Sequence, residues 1–274
     1  MPLTAFALAL GAAFLHALWN ILLARERDPE PATAVAICAS VVVFAPVAAF
    51  RWEVEPEVWP FIAVTSLLQL VYFSLLATAY RRAELSFVYP IARGLAPVLV
   101  LVVGVVALGT GATAAQAAGV CLVGVGILLV RGVGGERDAV GGVLALAIAS
   151  SIAAYTLVDK SGIRYADPVV YLELAMAPTG LAALSLVAVM PSGRRRLRDA
   201  LGPVPAAAGV VSFAAYVLVL AALQRAPAAS VAAVRETSVV IVAALAASTL
   251  GERVSPARLA GAGLVVVGIA FLVL

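Results

Sequence analysis

The sequence predicts an all-α integral membrane protein of ten transmembrane helices, arranged as two inverted five-helix repeats. Three observations carry this. Of 274 residues, 64% are hydrophobic and 12% charged, against about half apolar and about a quarter charged in an average globular domain. The apolar residues run unbroken for lengths that suit a hydrocarbon core of about 30 Å, which takes about 20 residues per helix. Segments of the second half also repeat segments of the first at a nearly constant spacing.

Breaks rich in charge, proline or glycine divide the chain into spans near 3–23, 32–50, 58–80, 85–108 and 113–130. A second set follows near 140–159, 168–190, 204–224, 229–250 and 256–274. These runs do not alternate in polarity, and a backbone in lipid must satisfy its own hydrogen bonds, so helices are expected. The first run, from Pro2, has no basic residues before it and is followed by Arg25 and Arg27, so it reads as a retained helix rather than a signal peptide.

The duplication is legible residue by residue. A shift of 142 lays Gly109, Gly119, Leu122, Val123, Val125, Gly126 and Ile127 on Gly251, Gly261, Leu264, Val265, Val267, Gly268 and Ile269, and Arg93 on Arg235. Asp28-Pro29 and Asp167-Pro168 open the second and seventh spans. Leu8-Ala9-Leu10 matches Leu144-Ala145-Leu146, which lays Trp19 on Tyr155 and Asn20 on Thr156. The repeats are set at 1–133 and 138–274. An odd number of spans per repeat sends the second through the membrane the opposite way up, an arrangement suited to alternating access around a midplane site.

The net charge of +3 resides mostly in short connections such as Arg194-Arg195-Arg196, where it orients the chain against the bilayer. No nucleic-acid partner is required. Outside the spans, twelve basic residues follow odd-numbered spans and four lie on the other side, which sets the first group in the cytoplasm and both termini outside. Cys38 and Cys121 sit in apolar runs without a CxxC pair, and read as buried hydrophobes rather than a disulfide or metal site. No P-loop, GxSxG or HExxH motif supports ATP-driven transport or hydrolysis. No catalytic residue, metal or cofactor is expected.

Ionisable groups at membrane depth cost about 2.5–3.5 kcal/mol on the insertion scale, so each calls for a functional hypothesis. Arg93 lies about 12 Å into the fourth span at 1.5 Å per residue, on one stripe with Ser86 and Tyr89. Arg235 is its repeat-related partner, with Ser238 one turn on. Two guanidinium groups facing one cavity suit a carboxylate or phosphate; the alternative is that the charges neutralise one another in structural ion pairs. Glu236 adjoins Arg235 but points about 100° away around a helix of 3.6 residues per turn, so it is expected to pair elsewhere. Glu173 is open between an arginine partner and the membrane interface.

His16, Trp19 and Asn20 share a face of the first helix, with His16 either relaying a proton or simply packing. Gln69 and Tyr72 mark the third span, Ser151, Tyr155 and Asp159 the sixth, and Ser212 and Tyr216 the eighth. Asp159-Lys160 falls at a span end and reads as solvated, and Tyr80 and Tyr171 read as interface anchors. Ala115, Gly119, Ala257 and Gly261 form small-xxx-small positions for close packing within the chain or in a homodimer. The candidate substrate-binding set is His16, Trp19, Asn20, Gln69, Tyr72, Tyr89, Arg93, Tyr155, Tyr216, Arg235 and Ser238.

The two-by-five plan, Trp19-Asn20 in the first helix, Gly94-Leu95-Ala96-Pro97 in the fourth and the turn Gly251-Glu252-Arg253 together resemble the EamA-type members of the drug/metabolite transporter superfamily. Two departures stand out: Gly109-Thr110 at the equivalent first-half turn, and no proline in the ninth span to match Pro97. The resemblance implies a secondary carrier of metabolites, amino acids or drugs in the plasma (inner) membrane, without a cofactor. It also implies termini inside, against the charge count. The rival reading is a lipid-handling membrane protein or enzyme that binds a lipid phosphate at the arginines.

Overall fold

The computed structural model describes residues 1–23, 26–82, 85–131, 139–241 and 255–273. Helices α1 (Leu3–Leu23), α2 (Pro29–Phe50), α3 (Trp59–Arg82), α4 (Leu85–Leu108) and α5 (Ala114–Arg131) form the first half. Helices α6 (Ala139–Gly162), α7 (Pro168–Val189), α8 (Gly193–Asp199), α9 (Pro203–Leu223), α10 (Ala228–Glu236) and α11 (Pro256–Val273) form the second. Among the described residues, seven helices are long and apolar enough to cross a membrane, and α5 and α11 are shorter apolar helices. The second half of the expected ninth span, and the Gly251-Glu252-Arg253 turn, lie outside the described residues.

Helix starts follow local chemistry. Pro29, Pro56, Pro168 and Pro203 occupy first-turn positions, where a missing N–H costs nothing. Starting at Pro29 puts the onset of α2 three residues earlier than the sequence suggests. Asp167 caps α7 through its side chain, accepting from Val169 N at 2.9 Å. The short helix α8, between α7 and α9, was not expected; it carries the basic run Arg194-Arg195-Arg196 along a connection instead of leaving it as loop.

Side chains along the outside are apolar, with Val42, Phe50, Val106 and Val189 among the most exposed. A water-soluble monomer rarely presents such a continuous surface. Cys121 belongs to it, being exposed rather than buried, while Cys38 is half-buried.

Helix neighbours obey an exchange rule. First-half helices pack on their own counterparts in three pairs: α2 on α7, α4 on α10, and α5 on α11. The others pack crosswise, α1 on α9 and α3 on α6. Swapping each helix for its counterpart returns the same neighbours. Helix α1, whose main neighbour is α9, buries an alanine face: Ala5, Ala9, Ala12 and Ala13 are fully buried.

The α5–α11 seam gives the geometry of that exchange. A Cβ on Gly119 would lie 2.8 Å from the Gly268 carbonyl oxygen, and one on Gly126 would lie 2.7 Å from that of Gly261. Position rises by seven along α5 as it falls by seven along α11, so the helices are antiparallel. The 142-residue shift carries the first contact onto the second. The expected small positions Ala115 and Ala257 are instead exposed; the glycines do the packing, and do it within the chain.

Ion pairs mark the two ends of the bundle. On a basic face, Arg196 of α8 bonds Asp28 and Glu30 at the start of α2, and Arg81 reaches Glu30. On the opposite face Arg51, after α2, bonds Asp167 at the start of α7. There Val54 and Ala166 also form an isolated β-bridge.

Candidate functional site

Between the halves lies a cavity of 90 Å³. His16 and Trp19 enter it from α1, Gln69 and Tyr72 from α3, Arg93 from α4, Tyr155 from α6, Tyr216 from α9 and Arg235 from α10. Eight of the eleven sequence candidates therefore share one wall. Of the other three, Asn20 donates its amide to the His16 carbonyl at 2.6 Å, within α1. Tyr89 lies beneath the Arg93 guanidinium, 5.1 Å from ring centroid to Cζ. Ser238 is buried but does not line the cavity.

The charged floor of the cavity corrects the expectation for Glu236. Its Oε1 accepts from Arg235 Nη2 at 2.9 Å and Nε at 3.2 Å. Arg93 Nη1 reaches Oε2 at 3.2 Å and Oε1 at 3.3 Å. One carboxylate thus bridges both arginines. The 100° offset is overcome because the long Arg235 side chain folds back toward its neighbour. Directly after Glu236 the helix is interrupted at Thr237, whose N–H and hydroxyl both donate to the Val234 carbonyl. All three side chains are less than 5% exposed, and two cations against one anion leave the cluster a net positive charge.

Aromatic rings shape the rest of the wall. Tyr72, Tyr155 and Tyr216 meet edge-to-face in series, each step 6.1 Å between centroids. His16 and Trp19 are perpendicular at 5.1 Å. Their Nε2 and Nε1 atoms are buried without a hydrogen-bond partner among the described residues. A buried polar nitrogen without a partner is costly, and these two are the unsatisfied polar atoms that His16 and Trp19 bring to the cavity wall. Glu173 meets neither arginine among the described residues, and its Oε2 is likewise buried without a partner.

Two further sequence expectations change. Asp159 is fully buried, not solvated. Its Oδ1 accepts from Thr65 Oγ1 at 2.6 Å and Tyr171 OH at 2.9 Å, and its Oδ2 accepts from Tyr216 OH. Tyr171 is therefore an interior ligand of Asp159 rather than an interface anchor. The charge beside Asp159 misled the reading: Lys160 points the other way, donating to the carbonyls of Leu223 and Ala226. The signal was the Ser151–Tyr155–Asp159 stripe, which continues the cavity wall by one turn. Thr65, one turn before Gln69 on α3, is the partner missed altogether. The Ser86 and Tyr80 side chains lie outside the described residues.

Fold and site together define a multi-pass helical membrane protein with two intertwined, internally related halves and a charged, aromatic-walled central cavity. The model of the EamA-like transporter family matches residues 3–132 and again 139–274. The chain belongs to the EamA-like transporter family, whose members are transporters rather than enzymes. A solved structure described only as "Crystal structure of protein" shares the fold, with a TM-score of 0.77 and 18% identity over 99% of this chain and 96% of its own. No curated protein matches.

Proposed function

We propose that the protein is a secondary transporter of a small organic solute bearing a carboxylate or phosphate, anionic or zwitterionic overall, working in the plasma membrane by alternating access. The carrying observation is the Arg93–Glu236–Arg235 cluster: repeat-related arginines on α4 and α10 meet at one carboxylate inside a cavity walled by both halves. Its surplus positive charge is what a solute anion would neutralise, and Arg binds such groups bidentately. The unpartnered nitrogens of His16 and Trp19 supply further contacts.

Ten spans in two inverted halves account for the antiparallel glycine seam and the exchange of neighbours. In that scheme one half rocks against the other around the cavity. At 90 Å³ the cavity is well below a typical small-molecule site of about 300 Å³ or more. The conformation therefore reads as constricted, widening when solute enters.

The test joins two measurements on purified protein: thermal stabilisation by amino acids, organic acids, phosphate esters and cationic drugs, then counterflow of the stabilising compound in proteoliposomes. Stabilisation by anionic or zwitterionic compounds, lost in Arg93→Leu and Arg235→Leu, is expected. Stabilisation by cations alone would overturn the solute class, and stabilisation only by phospholipid without counterflow would favour lipid handling.

A further inference from the structure

Asp159 sits in the partition between two spaces. Below it, Tyr216 forms part of the central cavity wall. Above it lies a vestibule of 490 Å³ on the Arg51–Asp167 face, lined in part by Glu53, Tyr165, Val217, Gln224 and Arg225. Through its three hydroxyl partners, Asp159 ties α6 to α3, α7 and α9. The Val54–Ala166 bridge and the Arg51–Asp167 pair strap the loops over the same end.

The charged and titratable groups around it can be named helix by helix. On α3, α7 and α9 it meets only the hydroxyls of Thr65, Tyr171 and Tyr216. Arg235 on α10 acts on it at longer range and is engaged by Glu236. Arg93 on α4 is held by Glu236, and Lys160 on its own helix by two carbonyls. No cation lies within salt-bridge distance of Asp159 among the described residues. A buried carboxylate held by hydroxyls alone is expensive as an ion.

The equivalent place in the first half is different. The 136-residue shift that lays Trp19 on Tyr155 lays Leu23 on Asp159. Leu23 packs with Leu197 against buried Ala32, Val35 and Ala200. One end of the cavity is sealed by an ionisable knot, the other by an apolar cluster.

We propose that Asp159 is the proton-binding site of this carrier, and that a proton there opens the seal between the central cavity and the Arg51–Asp167 face. As an ion the carboxylate only accepts, and all three hydroxyls donate to it. A proton delivered by hydronium from the vestibule forms an O–H bond at Oδ2 and leaves water behind. Two hydrogens cannot point at each other, so the Tyr216 hydroxyl must rotate to accept from Oδ2 or turn away, and the charge-assisted tie of α9 to α6 at the cavity wall becomes a weaker neutral one. The Leu23 cluster itself carries no carboxyl, and the Asp28 carboxyl at that end is held by Arg196 below its ordinary value, so it takes up a proton only on stronger acidification. This rests on the transport reading, but is testable without any solute.

The experiment places spin labels at Glu53→Cys and Arg225→Cys, across the vestibule, in a variant lacking Cys38 and Cys121 and reconstituted in liposomes. Acidification is expected to move the label pair from a short to a long distance. The ratio of the two populations should change about tenfold per pH unit, the signature of one proton. Asp159→Asn is expected to stay long at every pH. Thr65→Val, which removes one donor to the ion, is expected to keep the transition but raise its midpoint by about one pH unit. If Asp159→Asn does not fold, Thr65→Val and Tyr216→Phe decide, and an unmoved midpoint in both overturns the proposal. So does a transition that survives in Asp159→Asn, a distance indifferent to pH, or one that follows sodium at fixed pH. Any of these leaves counterflow standing, whereas failed counterflow with an intact pH transition sinks the transport reading alone.

Discussion

Arg93 and Glu236, 143 positions apart, meet through both carboxylate oxygens at the centre of the bundle. The same carboxylate holds Arg235, so three charges on two helices from opposite halves depend on one side chain.

Glu236→Gln leaves both guanidinium groups without their counter-ion in a buried site. Breaking a buried pair on one side costs about 3–5 kcal/mol. A fall in thermal midpoint of the purified protein is expected, partly recovered in the Arg93→Met, Glu236→Gln double variant, which removes an orphaned charge. Thermal unfolding in detergent measures both.

At the α5–α11 seam, Gly126→Ala sets a methyl 2.7 Å from the Gly261 carbonyl oxygen and from a Val265 methyl. Backbone has to give way, and overpacking of this kind costs about 1–3 kcal/mol. Gly268→Ala is expected to behave alike, since it makes the symmetric contact with Gly119. Gly263→Ala, which meets nothing within 4 Å, is expected to be neutral or stabilising. Comparing the three melting temperatures separates the seam from a general intolerance of α5 and α11.

The Arg51–Asp167 pair is surface-exposed on the arginine side, so Arg51→Ala is expected to cost no more than about 1 kcal/mol. Asp167→Ala also removes the α7 cap on Val169 N, which is worth about 1 kcal/mol by itself. Asp167→Asn keeps a capping oxygen and is expected to fall between them. Thermal unfolding of the three variants gives the order.

Hydrogen bonds from Arg196 hold the Asp28 carboxyl below its ordinary value of 3.8. A carboxyl lowered in the folded state adds stability above that ordinary value, and the addition disappears as pH falls through the lower folded one. The melting-temperature gap between wild type and Arg196→Gln should therefore be full at neutral pH and shrink on strong acidification. A gap that stays constant into acid would show that Arg196 acts on Asp28 by packing alone.

Much of the site was legible because each clue was local. The stripes through His16 and Trp19, Gln69 and Tyr72, and Arg93 are helix-face patterns that need no knowledge of neighbours. Glu236 was misjudged because angular position on a helix constrains a Cβ, not the end of a long arginine. Asp159 was misjudged because nothing in sequence says that Lys160 turns to the carbonyls of Leu223 and Ala226, or that Thr65, Tyr171 and Tyr216 arrive from three other helices.

The sequence by itself determined the membrane class, nearly all the helices and the doubling of the chain, because bilayer thickness and backbone hydrogen bonding set helix length and polarity one segment at a time. Only the tertiary structure decided which helices cross, that the glycines of α5 and α11 interlock antiparallel, and which buried charges meet. Those outcomes depend on the ends of side chains brought together from distant segments, and pairing at that distance leaves no periodic trace along a single chain.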